Sequence, residues 1–274
     1  METTPPQTTS APGADPVAAL RNLTPARVGL GRSGAGLPTA PLLQFELDHA
    51  RARDAVHATL DWRRLAADLA PEPVVQVRSQ AGDRTIYLQR PDLGRCLAAE
   101  SIAALPAGPF DVVFIIADGL SARAVQTHAA PTLHLIRQAL PDWQAAPVIL
   151  AAQARVALGD DIGVRLGALL AVTLIGERPG LSAPDSLGIY LTWRPAPGRR
   201  DHERNCISNV RPPQGLSHQE AAARTVWLLR AARSSGRTGV HLKDESALLP
   251  PPGADRVGQG VPWLPEGWKT DERK

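Results

Sequence analysis

The chain has 274 residues, 43% of them apolar, and a formal charge of only +3 from 30 basic and 27 acidic side chains. This length and composition suit one large or two small globular domains, while the balanced charge, the lack of a Lys/Arg block and an aromatic content of 4% argue against nucleic-acid binding. The two cysteines, Cys96 and Cys206, form no metal-spaced set or disulfide framework, so a reduced, intracellular compartment is expected; no apolar run reaches bilayer length, and residues 1–16 lack the apolar stretch of a secretory signal.

Residues 1–16 are rich in Thr, Pro, Ala and Gly and read as disordered. Residues 15–23 can form one short helix. Residues 39–70 read as helical: Thr39 can cap, Pro41 fits the first turn, and Leu43, Leu47, Ala50, Asp54 and Val56 trace a mostly apolar stripe. Pro71 and Pro73 end it. Strands and helices then alternate. Residues 74–78 and 85–88 read as short strands around the turn Ala81-Gly82-Asp83, and 91–104 as a helix. Residues 111–117, a near-continuous apolar run, read as a buried strand. Residues 121–140 are helical, with Pro131 dividing the helix in two. Strands at 148–152 and 169–175 flank a short helix at 160–168, and another strand covers 187–193. Residues 201–210 read as a polar loop. Ser217 to Glu220 form a capping box that opens a helix to about Arg233, with Gly236 near its stop. Residues 239–242 suggest a last strand, and Pro250 onward reads as a tail. Buried strands separated by helices define an α/β fold, a mostly parallel sheet with helices on both faces, preceded by a small helical N-terminal domain. The division this predicts is a disordered segment 1–20, a helical domain 21–90, an α/β domain 91–245 and a tail 246–274.

Residues 169–175 run into Gly176-Glu177-Arg178-Pro179-Gly180-Leu181. A carboxylate and a guanidinium on a stiff turn at the carboxyl end of a strand stand where open α/β sheets bind ligands; the competing reading is a solvated surface turn. Asp118-Gly119-Leu120-Ser121 follows the 111–117 strand and opens a helix, so it reads either as an anion-facing terminus or as plain capping. Gly29-Leu30-Gly31-Arg32-Ser33-Gly34 matches G-x-G-x-x-G, but no convincing strand precedes it and Leu37-Pro38 separates it from the next helix, which argues against a dinucleotide site. Cys206 with His202 could suggest a thiol nucleophile, yet no third orienting group is evident, and a neutral Cys lining a ligand loop is the favoured reading. Arg155-Val156, after the 148–152 strand, is uninformative by itself. Metal-binding signatures are absent. These residues describe a ligand-binding α/β domain without a catalytic set and do not name the ligand.

Together, in order and spacing, the motifs resemble those of the small (light) subunit of ethanolamine ammonia-lyase. The match is carried by Pro25-Ala26-Arg27-Val28, Leu47-Asp48-His49-Ala50-Arg51, Tyr87-Leu88, Arg90-Pro91-Asp92-Leu93-Gly94-Arg95, Asp118-Gly119-Leu120-Ser121, Gly176 to Leu181, Asp185-Ser186-Leu187 and Cys206-Ile207-Ser208-Asn209. It spans about residues 25–245. The resemblance implies a helical N-terminal region, a Rossmann-like α/β domain and a large barrel subunit as hetero-oligomeric partner. It implies adenosylcobalamin held between the subunits, with the contacts from this chain at Val156, Glu177 and Cys206, and no catalytic or metal-ligating residue here. The implied reaction is the radical conversion of ethanolamine to acetaldehyde and ammonia. It also implies a cytoplasmic enzyme, either free or inside a bacterial microcompartment; the short Pro/Thr-rich N-terminus argues against packaging. Two other functions compete: a stand-alone nucleotide-binding enzyme using Gly29 to Gly34, and a purely structural assembly subunit.

Overall fold

The computed structural model describes residues 17–21, 23–24 and 26–246. The stretch 1–16 expected to be disordered, and the tail from residue 247, lie outside the described residues. Three helices come first: α1 (Ala18–Arg21), α2 (Thr39–His57) and α3 (Trp62–Asp68). The chain continues through β1 (Val74–Arg78), α4 (Arg84–Gln89), α5 (Ala99–Ile102), β2 (Phe110–Ala117), α6 (Ala122–Gln138), β3 (Val148–Ala152) and α7 (Leu158–Leu166). It ends with β4 (Ala168–Gly176), β5 (Leu187–Trp193), β6 (Arg204–Val210) and α8 (His218–Ser235). No helix among the described residues is long and apolar enough to cross a membrane.

The six strands form one sheet in the order β1-β3-β2-β4-β5-β6. The first four are parallel to their neighbours, and β5 and β6 pair antiparallel. The expected α/β fold is therefore present as a mixed sheet. β5 reverses direction and β6 reverses it again, so the carboxyl end of β6 returns to the edge where the parallel strands end. β1 is an outer strand of this same sheet, although it falls within residues 21–90.

The period of two along a strand divides the core. Val112, Phe114 and Ile116 of β2 join a cluster with Leu65 of α3, Leu133 of α6 and Leu229 of α8. Val113, Ile115 and Ala117 point to the other face and pack on Leu158, Ile162 and Leu166 of α7. Helices thus cover both faces, but unequally. The α6/α8 side extends over β5 and β6, where it buries Ile189, Leu191 and Ile207. On the α7 side, Gly163 of α7 abuts Pro195, where a Cβ would lie 2.4 Å from the proline ring.

Several local expectations are corrected. Residues 85–88 lie in helix α4, because the Asp83 side chain caps the first turn by accepting the Ile86 N–H at 2.8 Å. The helix expected at 39–70 is two helices: Ala58 is extended, and Asp61 caps α3 by accepting the Arg64 N–H. Pro131 does not divide α6, which is continuous. Burial of Ala129, Ala130, Leu133 and Ile136 around the proline outweighs a local cost of about 3 kcal/mol. Residues 91–104 hold only a 3₁₀ turn, Leu93–Arg95, and the short α5. Residues 239–242 form a 3₁₀ turn because Gly239 adopts φ +76°, and the Asn205 side chain spans the turn by bonding Gly239 N–H and Leu242 O. The polar loop expected at 201–210 is mostly the outer strand β6.

Candidate functional site

The site is built at the carboxyl edge of the sheet, where two glycines let the chain pass itself closely. Gly119, just after β2, has φ +57°, and a Cβ there would lie 2.3 Å from the Gly176 carbonyl oxygen. A Cβ on Gly176 would lie 2.2 Å from the Ser121 carbonyl oxygen. This contact lets the Leu120 N–H donate to Gly176 O at 2.9 Å, locking the start of α6 to the end of β4. Ser121 caps α6 by accepting the Ala124 N–H, and its hydroxyl donates to Pro184 O at 2.8 Å. The Arg211 guanidinium bonds the Asp185 carboxylate at 2.5 Å from the end of β6. The 181–186 turn is thereby held from both sides.

That turn delivers Ser186 to Glu177, the first residue after β4. The Ser186 hydroxyl donates to Glu177 Oε2, the Ser208 hydroxyl donates to Oε1 at 2.5 Å, and the Asn209 N–H donates to Oε2 at 3.3 Å. Gly188 lies beneath the carboxylate; a Cβ there would meet Glu177 Oε1 at 2.9 Å and the Tyr190 ring at 3.1 Å. Glu177 therefore lies back over β5, half-buried and fixed in direction. A carboxylate has about four lone-pair positions, so about one remains for an outside donor.

Tyr190 of β5 stands opposite Cys206 of β6 in the strand register. Burial, more than any neighbour, pushes the Tyr190 phenol up. Crowding by neighbouring protein atoms raises the Cys206 thiol although the residue keeps an exposed surface, the Tyr190 hydroxyl opposes this, and the Glu177 charge adds to it. This direction disfavours the thiolate that a nucleophile needs. Among the described residues, no hydrogen bond joins Cys206 to a histidine, and its cross-strand neighbour is Tyr190. Cys206 and Ser208 are exposed on this face of β6. Further along the same face the covering resumes: Arg204 makes a buried two-bond pair with Asp160 of α7, both bonds at 2.6 Å. Between that ion pair and Glu177 the face shows half-buried Tyr190 and exposed Cys206 and Ser208.

Val156 enters from the neighbouring strand exit. It is half-buried and packs with Tyr190 against the apolar cluster on the α7 side. Its turn is held by Tyr87, whose hydroxyl donates to Ala154 O at 3.1 Å, and by Arg155, whose guanidinium lies 4.2 Å from the Tyr87 ring centre. Glu177 and Cys206 thus meet at neighbouring positions, Ser208 of β6 bonding Glu177 two residues on from Cys206, and Val156 shares its apolar cluster with Tyr190, the strand partner of Cys206. Tyr190, Gly188, Ser186 and Ser208 were not foreseen. For Gly188 and Tyr190 the signal lies in β5, where Leu187, Ile189 and Leu191 alternate with Gly188, Tyr190 and Thr192: one face is apolar and the other is not. The glycine-rich stretch 29–34 lies between α1 and α2 with no strand before it; Ser33 and Gly36 close it by mutual backbone bonds. It lacks the strand-to-helix setting of a dinucleotide site. Among the described residues, no group of three or more His, Cys, Asp or Glu side chains could hold a metal.

These features define an α/β protein whose sheet leaves a partly exposed face beside Glu177 at its carboxyl edge. The family described as ethanolamine ammonia-lyase light chain (EutC) matches residues 14–243. The ethanolamine ammonia-lyase small subunit of Bradyrhizobium diazoefficiens is 54% identical over 258 residues, covering 90% of this chain and 96% of that protein. Proteins of the same name from Rhodopseudomonas palustris and Pseudomonas putida are 52% and 49% identical, over 84% and 85% of this chain and 90% and 89% of theirs. The chain belongs to the ethanolamine ammonia-lyase small-subunit family.

Proposed function

We propose that this chain is the non-catalytic, cofactor-holding subunit of an adenosylcobalamin-dependent ethanolamine ammonia-lyase. A large subunit closes over the partly exposed sheet face, and the complex converts ethanolamine to acetaldehyde and ammonia in the cytoplasm. The observation that carries this reading is the partly exposed strip of Tyr190, Cys206 and Ser208 beside the fixed carboxylate of Glu177, in a chain of this family. A flat macrocycle fringed with amide groups suits that surface. Tyr190, Cys206 and Val156 would hold the face of the group, and Glu177 would accept a hydrogen bond from one of its amides. The cofactor, when bound, supplies the radical-initiating chemistry; this chain binds it, orients it and excludes water. Glu177 acts as a fixed acceptor because Ser186, Ser208 and Asn209 hold it. Cys206 acts as a small neutral wall residue, since the upward shift of its thiol favours the protonated form.

The test is to purify this chain with and without the large subunit, add adenosylcobalamin, and read corrinoid absorbance and acetaldehyde formation. Corrinoid retention and turnover by the complex, with no turnover by this chain alone, are the expected results. A complex that retains no corrinoid, or a lone chain that turns over ethanolamine, refutes the reading.

A further inference from the structure

The binding reading leaves Asp118 without a role. It follows β2 at the carboxyl edge, where a ligand-facing carboxylate would be expected, yet the residue is only 6% exposed. Its Oδ1 accepts the N–H groups of Gly119 at 3.0 Å and Ala154 at 3.1 Å. Its Oδ2 accepts the Gln153 N–H at 3.0 Å and lies 3.9 Å from the Arg84 guanidinium. Burying a carboxylate is unfavourable unless its lone pairs are satisfied. Here two of three backbone donors come from the exit of β3, the strand beside β2 in the sheet.

That exit needs holding. Gln153 has φ +52°, a left-handed conformation that non-glycine residues rarely adopt. Two further bonds continue the hold: Arg155 N–H to Gly94 O at 2.8 Å, and Arg155 Nη2 to Tyr87 O at 3.1 Å. The next residue is Val156.

Resting on the cofactor-binding reading above, we propose that Asp118 is a positioning residue for the corrinoid face. Its carboxylate sets the 153–156 turn from the adjacent strand, and so fixes where Val156 stands, without touching the ligand. Arg84 ties the arrangement to the N-terminal helices. Its guanidinium donates to Gly119 O at 2.7 Å and to Val56 O, in the last turn of α2, at 2.7 Å.

The test uses Asp118→Asn in the complex with the large subunit. Asparagine keeps an oxygen for the Gly119 and Ala154 donors but turns an NH₂ group against the Gln153 N–H. Three readouts are needed: hydrogen exchange by residue, cyanocobalamin affinity by absorbance titration, and kcat at saturating adenosylcobalamin. The expected results are faster exchange confined to residues 153–156, about a tenfold weaker affinity, as for one lost hydrogen bond, and an unchanged kcat. Combined with Val156→Ala, the loss in affinity should fall short of the sum, since both act through one contact. Unchanged affinity beside a tightly binding wild type overturns this inference alone. A wild-type complex that binds no corrinoid overturns the proposed function and this inference with it. Should Asp118→Asn fail to assemble, exchange in the wild type decides: slow Gln153 and Ala154 amides support the clamp, and fast ones refute it.

Discussion

Glu177→Gln separates binding from structure at the centre of the site. In the wild type, Oε1 accepts the Ser208 hydroxyl and Oε2 accepts the Ser186 hydroxyl and the Asn209 N–H. Glutamine has nearly the same shape. Its oxygen can keep the Ser186 and Asn209 donors, and its NH₂ group then faces Ser208, whose hydroxyl can rotate to accept. The internal network survives, but the lone pair left for an outside donor is gone, and so is the charge. The cost to cofactor binding is one hydrogen bond to a charged group, about 1.5–3 kcal/mol, or about ten- to a hundredfold in affinity. The maximal rate at saturating cofactor should change little, because in the proposed role Glu177 only accepts a hydrogen bond from the cofactor. Absorbance titration of the assembled variant gives the affinity, and acetaldehyde formation gives the rate. An affinity equal to the wild type removes Glu177 from the site. A lost maximal rate with affinity intact shows a role beyond binding.

Three further outcomes follow from the geometry. Asp160→Asn strips the partner from Arg204, which is 2% exposed and bonded at 2.6 Å, so the midpoint of urea unfolding should shift by the equivalent of about 3–5 kcal/mol; a shift under ~1 kcal/mol would contradict the pair's burial. His128 and His218 stand 3.0 Å apart, and burial holds both below the ordinary value of 6.5, with His218 adding to the effect on His128, which also faces Asp185 and Arg211. Their neutral forms are favoured in the fold, so the unfolded chain binds more protons; stability should be fully present above about pH 6.5 and fall as pH drops below it, and His128→Gln should flatten that fall in urea titrations between pH 8 and 5. The start of α2 leaves Leu42, Leu43, Phe45 and Leu47 between 38% and 58% exposed, so the lone chain should self-associate at micromolar concentration in sedimentation, and Leu43→Glu with Leu47→Glu should reduce this; an unaltered sedimentation profile would refute it.

Where one local rule decides an element, the sequence was sufficient. Residues 148–152 and 187–193 are strands with the bounds expected from their apolar runs. The capping box at Ser217 opens α8, and Gly236 closes it in the left-handed region. Where a second rule competes, the stronger one is set by tertiary packing. Pro131 marks a break by local chemistry, but a helix buried along its length keeps its course. Residues 204–210 look like a loop because an outer strand with one open face needs few apolar residues; Ile207 and Val210 alone meet the core. The 85–88 run could form either element by periodicity, and the Asp83 cap decided it.

The same distinction runs through the site. The placement of Glu177 at a strand exit was legible because its surroundings are local: a strand, a glycine and a Pro-Gly turn. What makes it a fixed acceptor is not local, since Ser208 and Asn209 arrive from β6, 31 and 32 residues away. Asp118 is the harder case. A carboxylate after a buried strand reads as a ligand group, and only strand order reveals otherwise. β3 lies beside β2, so the Gln153 and Ala154 amides, 35 and 36 residues on, reach Asp118 before any ligand can. In a parallel sheet every strand exit borders the exit of a strand distant in sequence. A charged residue there has two possible customers, solvent-side ligand and neighbouring backbone, and burial tells them apart: Glu177 keeps a lone pair for the first, and Asp118 is taken up by the second.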